Sequence, residues 1–200
     1  ACYGVGLDSS GNMYITGSSI ATWGSPLRAY SAGTDAFVAK LNTSGVLQWN
    51  TFLGDMGSDD DNGRGVALDI SGNVYLVGTC ISSWGSPLRP PGGQRDACVA
   101  KLNTSGVLQW NTFLGGRDYD YGDGVAVDSS GNVFITGRSS VTWGSPVRAF
   151  SGGGDAFVAK LNTSGALQWN TFLGGSGIDG GNAVALDSSG NVYITGTCDA

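Results

Sequence analysis

The 200-residue sequence predicts an all-β fold, a β-propeller of four-stranded antiparallel blades, and three observations support this prediction. Near-identical blocks recur about every sixty residues. Each block contains four short runs typical of β-strands, separated by turns rich in Gly, Asn and Ser. No segment combines helix caps with a 3.6-residue hydrophobic period. Repeated units of four antiparallel strands indicate a propeller or a stack of sheets.

The repeat consists of two blocks. One reads DAFVAKLNTSGVLQWNTFLG over residues 35–54, and it recurs over 96–115 and 155–174 with a single change in each copy. The other reads GVGLDSSGNMYITG in its first copy, and its four copies begin at Gly4, Gly65, Gly124 and Ala183. Repeats of this fidelity predict that residues 1–200 form one array rather than separate domains.

The second unit shows the four strands in order. The run of small residues 65–68 is predicted to lie nearest the propeller axis, where blades converge and crowd. The alternating run 74–77 follows a tight turn, and the runs 97–102 and 107–114 form the outer hairpin. The predicted blades are residues 4–54, 65–115 and 124–174, followed by the inner half of a fourth at 183–200. About three and a half blades cannot close a ring, so we expect further chain or further copies to complete it.

The units resemble the seven-bladed β-propeller repeat family (SBBP) of exported bacterial proteins. The resemblance rests on VALDSSGNVYITG followed by DAFVAKLNTSG and LQWNTFLGG, and it covers nearly the whole chain. The Asp-Ser-Ser-Gly-Asn-Val-Tyr segment also resembles NHL repeats. The resemblance implies a propeller and export, hence an extracellular or cell-surface location. It implies no defined activity, because a fold does not supply a function.

Composition excludes several classes of function. A net charge of −6 argues against a nucleic-acid partner, which needs clustered Lys and Arg. No apolar run approaches the length of about eighteen residues that a membrane-spanning helix needs. No basic and then apolar leader follows Ala1, so we expect a mature chain or a fragment. The chain has no His and no Glu, so a Ser-His-Asp or Cys-His centre is impossible, and we predict no enzyme.

The longer connections hold most of the residues that could bind a ligand. Each unit carries Trp-Gly-Ser-Pro-x-Arg between its second and third strands. Indole faces could stack on sugars or peptides while guanidinium groups bond carboxylates or hydroxyls. The alternative is structural, with Trp filling a gap between blades and Arg pairing with a neighbouring Asp. The candidate ligand-binding residues are Trp23, Arg28, Trp84, Arg89, Trp143 and Arg148.

The aspartates have mainly structural interpretations. The run 59–63 (Asp-Asp-Asp-Asn-Gly) invites a calcium hypothesis, but it lacks the alternating spacing of a calcium loop and is interpreted as a solvated acidic loop. We therefore predict no metal and no cofactor. The Asp before each third strand is predicted to form an ion pair between blades with the Lys inside that strand, and the Asp of each Asp-Ser-Ser-Gly-Asn turn to bond its own backbone. These residues are Asp35, Asp96 and Asp155 with Lys40, Lys101 and Lys160, and Asp8, Asp128 and Asp187.

The cysteines predict one disulfide. Cys80 and Cys98 fall at the same end of two neighbouring antiparallel strands, and the equivalent positions of the first and third units both lack Cys. This joint substitution favours a Cys80–Cys98 bond over buried thiols. Cys198 occupies the Cys80 position of the unfinished blade, so its partner is expected beyond Ala200 or in another molecule. Cys2 is a weaker candidate for such a bond.

Three hypotheses for function remain open on these grounds. The leading one is a non-enzymatic extracellular scaffold or interaction protein that self-associates through open blade edges, above all through residues 183–196. A second is a carbohydrate- or peptide-binding module that uses the Trp/Arg loops. A third is a propeller hydrolase or lyase with paired Asp at its axis.

Overall fold

A computed structural model describes residues 1–57 and 60–199 and confirms the all-β fold. Within these residues every regular element is a strand of six to eight residues. The strands are β1 (Cys2–Leu7), β2 (Met13–Ser19), β3 (Asp35–Leu41), β4 (Leu47–Leu53), β5 (Asn62–Leu68), β6 (Val74–Cys80), β7 (Asp96–Leu102), β8 (Leu108–Leu114), β9 (Asp120–Val127), β10 (Val133–Ser139), β11 (Asp155–Leu161), β12 (Leu167–Leu173), β13 (Gly180–Leu186) and β14 (Val192–Thr197).

The strands form three four-stranded antiparallel sheets and one two-stranded sheet. Blade 1 is β1–β4, blade 2 is β5–β8, blade 3 is β9–β12, and half-blade 4 is β13–β14, each in sequence order. Strands β1, β5, β9 and β13 are neighbours from blade to blade, so the runs of small residues lie innermost as predicted. No helix long and apolar enough to cross a membrane occurs in the described part of the chain.

The inner strands begin two to four residues before the small-residue runs that predicted them. A bulge explains the difference, because the pairing of β5 with β6 shifts register between Gly63 and Gly65. The bulged backbone lies so close to Gly78 that a Cβ atom there would collide with the carbonyl oxygen of Asn62. Strands β5, β9 and β13 thus reach back into segments that the sequence predicts to be connections between blades.

Most of the core lies between blades. One apolar cluster joins Leu53 of blade 1 to Val74 and Leu76 of blade 2, and a second joins Leu114 of blade 2 to Ile135 of blade 3. One face of each sheet therefore packs on the opposite face of the next, as in a propeller rather than in separate domains.

The short hairpin turns lie at one end of each blade and are held by their own aspartates, as predicted. Asp8 accepts hydrogen bonds from the N–H groups of Ser10 and Asn12 at 3.0 and 2.9 Å. Asp128 and Asp187 accept the corresponding pairs of N–H groups. Gly11 takes a φ of 81° in this turn, a conformation that favours glycine. The long connections lie at the other end of each blade.

Candidate functional site

The Trp-Gly-Ser-Pro-x-Arg loops run along the outer strand of their own blade. In blade 1 the N–H of Leu27 donates to the carbonyl of Asn50 at 2.8 Å, and the N–H of Phe52 donates to the carbonyl of Arg28 at 3.1 Å. The Asn50 side-chain amide donates to the carbonyl of Trp23 at 2.8 Å. Asn111 and Asn170 hold the carbonyls of Trp84 and Trp143 in the same way. These hydrogen bonds hold each loop against the outer strand of its own blade, which is β4, β8 or β12.

The loop tryptophans fill gaps within and between blades. Trp23 contacts Phe37 at a ring-centroid distance of 5.1 Å, and Trp143 contacts Phe157 at 5.3 Å, both edge to face. Trp84 is 3% exposed and Trp143 is 5% exposed, so their indole faces are covered by protein. Trp23, Trp84 and Trp143 belong to three separate apolar clusters. They lie at the loop end of the blades, but they do not form one continuous stacking surface.

The loop arginines bond main-chain carbonyls. Arg28 donates through Nη1 to the carbonyl of Phe52 at 2.8 Å and through Nη2 to that of Gly54 at 2.5 Å. Arg89 and Arg148 make the equivalent pairs of bonds. The Arg28 guanidinium also lies 5.8 Å from the Trp84 ring of blade 2. The interpretation that these arginines pair with Asp is wrong for their hydrogen bonds, because carbonyls at the end of the outer strand accept them. Asp35 and Asp61 act on the Arg28 guanidinium through their charges.

The ion pairs predicted between blades are also wrong. Asp35 is buried and accepts the N–H of Ser31 at 2.7 Å. Asp96 accepts the N–H groups of two loop glycines, and Asp155 accepts the N–H of Ser151. The strand lysines lie over aromatic rings, with Lys40 Nζ 5.0 Å from the Tyr14 ring. Lys40 forms an ion pair with the turn carboxylate of Asp8 at 3.8 Å. Each third-strand Asp therefore braces its own loop.

A second aspartate approaches from the next blade and completes a buried carboxyl pair. A Cβ atom placed on Gly174 would lie 2.5 Å from both Asp155 Oδ1 and Asp179 Oδ2. Asp35 with Asp61, and Asp96 with Asp120, face Gly54 and Gly115 in the same way. Only a glycine leaves room for the two carboxyl groups. The Oδ1 atoms of Asp35, Asp96 and Asp155 are buried and have no hydrogen-bond partner among the described residues.

Burial raises the pKa of the second aspartate in two of these pairs. It raises the pKa of Asp61 to about 7 and that of Asp120 to about 6, because a charged carboxylate loses hydration inside the protein. Asp61 is 1% exposed, so the prediction of a solvated acidic loop is wrong at this residue. Asp60 is exposed, and Asp59 lies outside the described residues. The recurrence of Asp61, Asp120 and Asp179 was visible in the sequence, but their burial depends on the neighbouring blade.

The carboxyl pair of Asp96 and Asp120 suits a structural role better than a catalytic one. Two carboxyl groups, one with a raised pKa, could act as acid and base in a glycosidase. Here Asp96 and Asp120 are fully buried behind a glycine, where no substrate can reach them. Among residues 1–57 and 60–199, no group of three or more His, Cys, Asp or Glu is arranged to hold a metal ion.

Cys80 and Cys98 form a disulfide inside blade 2, with their Cα atoms 5.8 Å apart. Cys80 pairs in register with Asp96 and Cys98 pairs with Gly78, so the bond runs diagonally between β6 and β7. The Trp84 Nε1 donates to Cys80 Sγ at 3.4 Å, which ties the loop to the disulfide. Cys2 and Cys198 are free and exposed.

Comparisons with known proteins agree with this geometry. The family model described as a β-propeller repeat matches residues 48–83, 109–142 and 168–199. Regulatory protein FlaEY of Caulobacter vibrioides is 30% identical over 138 residues, which cover 62% of this chain and 14% of that protein. The crystal structure of a protein of unknown function from Bacteroides caccae is similar with a TM-score of 0.50 at 12% identity, over 96% of this chain and 52% of that one. The chain thus spans only part of the length of both proteins.

Proposed function

Because the chain belongs to the β-propeller repeat family, we propose that it is a non-enzymatic extracellular scaffold that offers its blade edges and loops to other proteins. The observation that carries this proposal is the use of the repeated side chains. Three equivalent ligand sites could have formed from the repeated tryptophans, arginines and aspartates. Instead, the tryptophans pack the blades, the arginines hold the loops against the outer strands, and the aspartates form buried pairs.

The Cys80–Cys98 disulfide supports the extracellular part of the proposal. Disulfides persist in exported proteins and are rare in the reducing cytosol. The name of the matched Caulobacter protein describes a regulatory protein and states no enzymatic activity. Its match covers a small part of that protein, so the name supports only the general class of function.

The test combines three measurements on the purified protein. Thiol titration after denaturation without reductant should find two free thiols, Cys2 and Cys198. Screens against polysaccharides should find no hydrolysis or elimination, and a glycan array should show no binding that Trp23→Ala or Arg28→Ala abolishes. Four free thiols would remove the support for export. Hydrolysis lost in Asp120→Asn would contradict the scaffold, and glycan binding lost in Trp23→Ala would favour the carbohydrate-binding alternative.

A further inference from the structure

Each inner strand carries one extra residue at its bulge. The register shift leaves this residue without a partner on the second strand, and it falls between small residues, such as Gly63 and Gly65 in β5. The extra residue differs in every blade, although the outer hairpins repeat almost without change. Packing that all blades share therefore does not fix its type, and bulges are common beside functional sites because they re-aim a side chain. The four bulge residues are Tyr3, Arg64, Asp123 and Asn182.

The bulge residues form a row across the blades. A Cβ atom placed on Gly4 would lie 2.9 Å from the carbonyl oxygen of Arg64, and one placed on Gly65 would lie 3.0 Å from that of Asp123. The bulges of blade 3 and half-blade 4 approach each other in the same way. Close contact between the inner strands thus brings bulge residues of different chemistry next to one another.

Three of the bulge residues, Arg64, Asp123 and Asn182, line an open pocket of about 310 Å³. Tyr121 and Arg138 of blade 3 also line it. The other blades carry neither an aromatic nor a charged side chain at these two positions. The charged residues of the pocket belong to blades 2 and 3, and the inner strands of these blades contact a described inner strand on each side.

The two arginines of the pocket differ from the cationic residues of the repeat. The three loop arginines bond carbonyls and the three strand lysines lie over aromatic rings. The guanidinium groups of Arg64 and Arg138 lie 4.7 Å from the rings of Tyr3 and Tyr121. Neither group forms a hydrogen bond or ion pair with another residue that the structure describes. A ring covers only the face of a guanidinium, so the N–H groups at its edge can bind an anion.

Asp123 lies near both arginines and sets the charge of the pocket. Burial raises the pKa of its carboxyl group, and the charges of Arg64 and Arg138 act in the opposite direction. Within the described part of the chain, no group donates a hydrogen bond to this carboxylate. With Asp123 ionised, the two guanidinium groups leave one positive charge in excess. The pocket therefore suits a singly charged anion better than a sulfate or phosphate dianion.

The donors and acceptors of the pocket define the groups that a ligand must carry. A carboxylate would accept the free N–H groups, since guanidinium groups bind carboxylates through two parallel hydrogen bonds. An ionised Asp123 can only accept, so the ligand also needs a donor. A hydroxyl group suits this role better than an ammonium group, because an ammonium would bring a third positive charge beside Arg64 and Arg138.

We propose that Arg64, Asp123 and Arg138 form a binding site for a small hydroxylated carboxylic acid, such as a sugar acid. The pocket volume of about 310 Å³ is at the lower end of the range for small-molecule sites, which suits a single sugar ring. Asn182 adds an amide that can both donate and accept. The site goes beyond the scaffold function, because it lies on the inner strands and uses side chains that differ from blade to blade.

The experiment measures binding of glucuronate to the purified protein by isothermal titration calorimetry. Glucose, which lacks the carboxylate, and the free amino acid alanine, which has an ammonium group in place of hydroxyls, are the comparison ligands. We expect glucuronate to bind about tenfold more tightly than either. An oligosaccharide that ends in glucuronate distinguishes the two sources of the ligand. Tighter binding of the oligosaccharide indicates a polysaccharide residue, and equal binding indicates a free sugar acid.

Variants test the assigned residues. Arg138→Thr introduces the residue type found at this position in blade 2 and half-blade 4, and Arg64→Asn introduces that of the half-blade 4 bulge. Each should weaken glucuronate binding about tenfold without a change in the circular dichroism spectrum. Asp123→Asn should bind sulfate several-fold more tightly than the parent, because two positive charges then face the dianion. Arg117→Thr, at an exposed arginine outside the pocket, is the matched control and should bind glucuronate as the parent does.

Several results would overturn the proposal. These are no binding of glucuronate, equal binding of glucose, and unchanged binding in both arginine variants of the pocket. Binding that Arg117→Thr or Trp23→Ala abolishes would place the ligand elsewhere on the molecule. An unchanged affinity of Asp123→Asn for sulfate would contradict the charge balance on which the choice of a carboxylate depends.

Discussion

Strands β6 and β14 lie in segments of almost the same sequence, VYLVGTC at 74–80 and VYITGTC at 192–198. The surroundings of the two strands differ. All seven residues of β6 are buried, whereas the six residues of β14 are half-buried or exposed. The difference comes from the outer hairpin that covers β6, since no such hairpin lies beside β14 in the part of the chain that the structure describes. Burial in this protein is therefore a property of neighbouring strands and blades, and identical residues contribute unequally to stability.

The largest expected effect compares two equivalent leucines. Leu114 is 1% exposed between blades 2 and 3, and Leu173 is 38% exposed beside half-blade 4. Leu114→Ala should lower the free energy of unfolding by about 2–5 kcal/mol, because it leaves a cavity in a packed interface. Leu173→Ala should cost less than half as much. Urea denaturation of both variants measures the difference, and equal losses would show that the two interfaces are packed alike.

The disulfide distinguishes blade 2 from its neighbours. The Cys80→Ser, Cys98→Ser variant should lose about 3 kcal/mol, because the bond restricts the unfolded chain. Blades 1 and 3 carry Ser19 with Phe37 and Ser139 with Phe157 at these positions. Cys80→Ser with Cys98→Phe should therefore recover part of the loss through packing. Denaturation with and without reductant provides the control, since reductant should weaken only the parent protein.

The carboxyl pairs predict opposite pH dependence at two interfaces. The pKa of Asp61 is raised from 3.8 to about 7, mainly by burial, so the folded state holds this proton more tightly than the unfolded state. This contribution to stability is fully present below about pH 4 and is lost as pH rises toward 7. When the pH rises from about 4 to about 7, the parent protein should lose roughly 2 kcal/mol more of its free energy of unfolding than the Asp61→Asn variant loses.

Asp179 provides the matched control at half-blade 4. Its pKa is lowered, because the neighbouring Cys198 thiol and the Gly175 N–H, which donates to Oδ2 at 2.8 Å, stabilise its carboxylate. The ionised Asp179 carboxylate therefore contributes to the stability of the folded state at neutral pH, and this contribution is lost as pH falls through the lowered pKa. Denaturation at several pH values should show that Asp179→Asn loses stability at neutral pH and not at low pH. The same pH dependence of stability in the Asp61→Asn and Asp179→Asn variants would contradict the opposite pKa shifts of the two aspartates.

The smallest expected effect compares two turn glycines. Gly45 and Gly106 have φ values of 77° and 80°, so Ala should strain either turn by about 1 kcal/mol. Gly45 has open space around its Cβ position, but Gly106 is seated against Leu27 and Trp49. Gly106→Ala should therefore cost about 1 kcal/mol more than Gly45→Ala. Thermal denaturation can resolve this difference. Equal costs would indicate that the side chains of Leu27 and Trp49 move easily to make room for the added methyl group.

The sequence by itself determined the number and order of strands, the turn residues and the Cys80–Cys98 pair. These features depend on local patterns that the repeat displays several times, such as alternation in 74–77 and the Asp that bonds its own turn at Asp8. Their interactions join residues of one blade, so one blade is enough to predict them. The start of each inner strand escaped prediction, because the bulge beside Gly78 is set by close contact between strands.

Only the tertiary structure decided what the polar side chains do. Arg28 could have bonded a ligand, an aspartate or a carbonyl, and the end of β4 brings two carbonyls within its reach. Asp61 was predicted in water, but the preceding blade covers it and places Asp35 opposite. A buried charged group needs hydrogen-bonding partners that offset the loss of its hydration. Here those partners belong to another strand or blade. The physical reason is that packing between repeats, which no single repeat encodes, decides which groups lose their water.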